Sequence, residues 1–99
     1  MGEEDSLDGL KKQVELYQEL LALTKEEHDL LQEGEDTSEI KEEQRELRDE
    51  IQNIDLKYDI DQTDKLRLIK ESDVEELQQF EPVLKELYAL EKKNQAINN

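Results

Sequence analysis

Residues 7 to 31 place more apolar surface on one helical stretch than a single neighbouring helix covers. Leu7, Leu10, Val14, Tyr17, Leu21, Thr24, His28 and Leu31 follow a three-four spacing, which lays one seam along a helix. Leu16, Leu20, Leu23 and Leu30 form a second seam. At about 100° per residue the two together wrap roughly 200° of helix surface, whereas a core-facing stripe is a little over about 100° wide. The second seam therefore needs its own cover: another helix of the chain, a second copy, or a different protein.

The apolar residues available elsewhere are few. In 99 residues, 33% are apolar, and the aromatic side chains are Tyr17, Tyr58, Phe80 and Tyr88, so the core is thin and built from Leu and Ile. A charged fraction of 42% suits a disordered chain, yet here the apolar residues recur at helical spacing instead of being scattered. Three Gly and one Pro are too few for the turns of a β-rich chain this long. The composition points to one all-α domain over residues 6 to 97, with residues 1 to 5 as a disordered acidic leader.

A net charge of −16 with no basic cluster excludes nucleic acid and anionic membrane surfaces as partners, because phosphate binding depends on Lys and Arg displacing counterions. No apolar run approaches the roughly 18 residues of a membrane span, and the N-terminus lacks the layout of a signal peptide. A cytoplasmic location is expected. With no Cys, disulfides and thiolate-ligated metals are ruled out. The start Met1-Gly2 with Ser6 fits the loose myristoylation pattern, but acidic residues crowd it.

Along the chain, Ser6 is placed to cap a first helix that runs to about residue 33, and Gly34 suits the left-handed position after it. Asp36 and Glu39 have capping-box spacing ahead of a second helix over about 37–60. Its seam is narrower, Ile40, Gln44, Leu47, Ile51, Ile54 and Tyr58, with charge on every other face. The polar run Asp59-Ile60-Asp61-Gln62-Thr63-Asp64 predicts the second turn. A third stretch over about 63–96 carries Leu66, Ile69, Leu77, Phe80, Leu84 and Leu87 on one face, with Val83, Leu90 and Ile97 beside it. Ser72 with Glu75, or Pro82, is able to divide this stretch. The expectation is one long helix kinked near Pro82, since the apolar face keeps its phase. Residues Asn94 to Asn99 are expected to fray, and antiparallel packing through short loops gives an up-down-up three-helix bundle.

No catalytic constellation emerges. His28 is the single histidine, between Glu27 and Asp29, and no second ligand pair accompanies it at metal-binding spacing. Read as an EF-hand loop, Asp59 onward puts Asp64 where the loop needs Gly and Lys70 where it needs Glu. There is no Gly-rich phosphate loop or nucleophile elbow. The reading is non-enzymatic, with no cofactor and no metal.

The segment Tyr17-Gln18-Glu19-Leu20-Leu21-Ala22-Leu23-Thr24, then Leu30-Leu31 and Gly34, then a charged Glu-rich helix, resembles the FliT-type flagellar export chaperones. The likeness extends through Leu68-Ile69, Asp73-Val74 and Leu77, and through Pro82-Val83-Leu84 to Leu87, covering about residues 14 to 90. It implies a cytoplasmic bacterial chaperone that holds a C-terminal segment of the filament-cap protein FliD and delivers it to the export apparatus. The related FlgN-type chaperones, which serve hook-filament junction proteins, share the outline. Family members often carry a further C-terminal helix over the binding surface, for which the long third helix leaves little chain. A regulatory role is not carried over. A chaperone for an amphipathic helix needs an apolar groove, and Leu16, Leu20, Leu23 and Leu30, joined by Val83 and Leu90, are its candidate lining. Two alternatives stand beside it: these leucines are ordinary core, or the surplus seam pairs with a second copy in a homodimer.

Overall fold

The computed structural model describes residues 3–98. They form four α-helices, α1 (Glu3–Glu33), α2 (Ser38–Lys57), α3 (Gln62–Glu71) and α4 (Phe80–Asn98), with a 3-10 turn at Glu75–Gln79 before α4. No strand is present among the described residues. α1 begins at Glu3 and so includes Ser6, which was expected as its cap. Of the expected leader, Glu3 to Asp5 are helical, and Met1 and Gly2 lie outside the described residues.

The ends of α1 and α2 share one device. At the end of α1 the Glu35 amide donates to the Leu30 carbonyl and the Gly34 amide to the Leu31 carbonyl, with Gly34 at φ 72°. At the end of α2 the Ile60 amide donates to the Asp55 carbonyl and the Asp59 amide to the Leu56 carbonyl. Asp59 takes the left-handed place there at φ 51°. This motif tucks Ile60 into the core as the apolar residue beyond the cap. Between α1 and α2, Asp36 accepts from the Ser38 amide and hydroxyl instead of forming a box with Glu39, and Thr37 stands at the N-cap without a side-chain bond. Asp61 caps α3 by accepting from the Asp64 amide.

The expected single third helix is divided, and not at Pro82. Ser72 adopts an extended conformation and its hydroxyl accepts from the Val74 amide, while Gln78 donates to the Ser72 carbonyl. Pro82 then falls in the first turn of α4, where a missing amide costs little. The break frees α3 to choose its own inward face: Leu68 is buried and Leu66, expected in the seam, is 52% exposed.

α1 is the element against which the others pack. Gln13 donates to the Ile51 carbonyl and to Asp55, and Thr24 meets Gln44, so α1 and α2 run in opposite directions. Tyr17 meets Phe80 edge-on and His28 meets Asn94, so α1 and α4 run in the same direction. One core cluster joins Leu10 and Val14 to Ile60, Leu68, Leu77 and Phe80 at the α3 end of the molecule. A second joins Leu16, Leu20 and Leu21 to Ile51, Val83 and Leu87. Gly9 admits the Tyr58 ring against the α1 backbone; a Cβ at Gly9 would lie 2.7 Å from a ring carbon.

Candidate functional site

Two clefts run beside α1, and their chemistry differs. Between α2 and α4 the floor is Tyr17, Leu20, Ile51 and Leu87, and Arg48 of α2 pairs with Glu91 of α4 across the top. Toward the α4 C-terminus this seam becomes a polar layer. Thr24 donates to the Leu20 carbonyl and accepts from Gln44, and Gln44 also donates to Glu27 at 3.3 Å. Asn94 donates to the Thr24 carbonyl and to Glu27 and accepts from His28 Nδ1 at 2.8 Å. Asn94 is 5% exposed, so the fraying expected from that residue onward does not occur there: its amide is held at three points. Asn99 lies outside the described residues. His28 is thus a structural tie between α1 and α4. Tyr17, half-buried at the head of the seam, has its hydroxyl pushed up to about 12 by burial first and then by neighbouring Tyr88 and Asp55.

The cleft between α1 and α2, with no α4 residue in its lining, is of another kind. Its volume is about 400 Å³, its floor is Ala22, Leu23 and Leu47, and its rims are Glu19 and Glu26 on α1 and Glu43, Glu46 and Glu50 on α2. Glu19 and Glu26 are seven residues apart, as are Glu43 and Glu50, which keeps each pair on one helix face. None of the five is paired with a described cation. At Glu50 the cleft continues into a hollow formed by Gly9, Ile54 and Tyr58 with Asp8, Lys12 and Lys57 at its edge.

The six residues expected to line a groove separate into two groups. Leu16, Leu20 and Val83 are 4%, 1% and 9% exposed and belong to the core, packed with Ile51 of α2 and Leu87 of α4. Their side chains have no open face to offer. Leu23, Leu30 and Leu90 are half-buried: Leu23 lies in the floor of the acidic cleft, Leu90 packs on the second core cluster, and Leu30 stands beside the turn that ends α1. Leu47, Ala22 and the glutamate rims were not expected as site residues. Their signal is a Leu on each helix bracketed by carboxylates at seven-residue spacing.

Among the described residues no three His, Cys, Asp or Glu side chains converge as a metal site would require, and no helix is long and apolar enough to cross a membrane. No protein-family profile, curated protein or solved structure matches the chain.

Proposed function

We propose that this chain is a non-enzymatic helical chaperone that holds an amphipathic helix of a client in the cleft between α1 and α2. The observation that carries this reading is the cleft floor of Ala22, Leu23 and Leu47, partly open to solvent, beside Leu10, Leu16, Leu20 and Leu21 of α1, which the chain's own helices cover. A groove of this kind takes the apolar stripe of a helix, and the acidic exterior keeps the complex in solution. The resemblance over residues 14 to 90 supplies the client: a C-terminal segment of a FliD-like filament-cap protein, kept from early assembly in the cytoplasm and passed to the export apparatus. In this reading α1, α2 and the divided α3–α4 run form an up-down-up bundle, with α1 as its shared wall.

Fluorescence anisotropy with a labelled FliD C-terminal segment tests the proposal. The wild-type chain binds it, and the folded double variant Leu23→Ser/Leu47→Ser binds at least about ten-fold more weakly, as anchor contacts are lost. A wild-type chain that ignores the segment sinks the flagellar client. A stable dimer in light scattering that the same double variant dissolves gives the cleft to a second copy instead.

A further inference from the structure

The rims of the α1–α2 cleft set the charge of what lies in it. Glu19 and Glu26 face Glu43, Glu46 and Glu50 across the apolar floor, and none of the five is ion-paired with a described Lys or Arg. A helix laid on Leu23 and Leu47 brings its own flanking residues against these carboxylates on both sides. Acidic flanks there meet like charge at close range. Neutral flanks leave the repulsion among the five in place, whereas Lys or Arg flanks relieve it. A second copy of this chain brings a net charge of −16 and the same carboxylate rims, so it is the wrong occupant on electrostatic grounds.

We infer that the cleft is built for a cationic amphipathic helix, with an apolar stripe on Leu23 and Leu47 and Lys or Arg along both edges. The inference rests on the docking reading above and specifies its partner. The cleft also assigns a direction to the charge. Past Glu50 the rim carries Asp8 together with Lys12 and Lys57, so its charges balance, with Lys57 over the Tyr58 ring at 5.4 Å. The cationic part of the segment therefore covers the half of the cleft formed by residues 19–26 and 43–50, and the rest is neutral. From Gly9 to Glu26 the α1 wall spans 18 residues of helix, so the fitting segment is about 25 Å, or about 17 residues, long.

The test uses the full chain and synthetic peptides of about 17 residues that share one Leu/Ala stripe and differ only in flanks, which are Lys, Gln or Glu. A Lys-flanked peptide with the stripe scrambled serves as control. Two surface variants separate local from general attraction: one with Glu19, Glu26, Glu43 and Glu46 changed to Gln, the other with Glu33, Glu35, Glu75 and Glu76 changed to Gln. The Lys peptide is expected to bind about ten-fold or more tighter than the Gln peptide and its own scramble, the sum of several modest exposed pairs. That advantage is lost in the first variant and at high salt, and kept in the second. If Lys and Gln peptides bind alike and both are lost in Leu23→Ser/Leu47→Ser, the charge inference is overturned while the docking reading stands. If the two Glu variants weaken the Lys peptide equally, attraction is to the whole acidic surface and the inference falls. No stripe-dependent binding by any peptide overturns both.

Discussion

Leu16 and Leu23 are one heptad apart on α1 in the same sequence seam, yet the structure gives them different roles, and truncation should separate them. Leu16 is sealed in the cluster with Ile51, Val83 and Leu87, so Leu16→Ala loses the transfer energy of the removed carbons and leaves a cavity. The expected cost is about 3 kcal/mol, near the low end of the buried Leu→Ala range because a thin core relaxes easily. Against a total stability of about 5–15 kcal/mol for a domain of this size, that is a large fraction. Leu23 already shows part of its surface to solvent, and Leu23→Ala should cost about 1 kcal/mol. In thermal melts followed by helical circular dichroism, Leu16→Ala should lower Tm by about 12–24 °C and Leu23→Ala by about 4–8 °C. Urea titrations should place the two midpoints in the same order with similar slopes. Equal losses, or a larger one for Leu23, would mean that α1 is rotated about its axis relative to this structure, and the cleft would lose its floor.

Three further outcomes follow from local chemistry. Asp59→Gly should raise stability by about 1 kcal/mol in urea titration, because glycine occupies the left-handed position without Cβ strain and a carboxylate leaves the C-terminal end of α2; a loss would contradict the cap geometry. Gln13→Glu should destabilise the fold by about 3 kcal/mol or more at neutral pH, since it buries a carboxylate 2.8 Å from Asp55, and the loss should shrink as acid protonates the new group; a neutral effect at pH 7 would show that Gln13 is not enclosed. Tyr17 holds its proton longer in the folded state, about 12 against an ordinary 10.0, so the folded chain binds more protons above pH 10 and stability falls as pH rises through that window. The full shift corresponds to under about 3 kcal/mol, and screening of its exposed part reduces it to about 1 kcal/mol; denaturant titrations of wild type and Tyr17→Phe between pH 9 and 11.5 should diverge by that amount, and parallel curves would refute the burial of the hydroxyl.

Much of the architecture is legible in the chain, and the exceptions have physical causes. The helical character, the Gly34 turn and the Asp59–Asp64 turn follow from spacing and cap chemistry acting over a few residues. The two seams of α1 are also legible, including their polar members Thr24 and His28, which with Gln44 of α2 mark the buried polar layer. Asn94 was not legible, because its three hydrogen-bond partners lie 66 to 70 residues away in sequence. The division at Ser72 was outweighed in the sequence by the continuous phase of Leu66, Ile69, Leu77 and Phe80. A phase count assumes one straight helix, and a three-residue extended link resets it. For the site, the width of the apolar surface on α1 pointed to a need for cover without saying how much the chain itself supplies. α2 and α4 cover Leu16 and Leu20 and leave Leu23, an outcome decided by how deep each helix sits.

The central claim is that a protein helix lies in the α1–α2 cleft. Backbone amide chemical-shift mapping of the isotope-labelled chain, titrated with the FliD C-terminal segment, tests it most directly. The account predicts the largest shifts at residues 19–26 and 43–50, extending toward Gly9 and Tyr58, with small changes over Tyr88 to Ile97. Shifts centred on α4, or none at saturating segment, would contradict it.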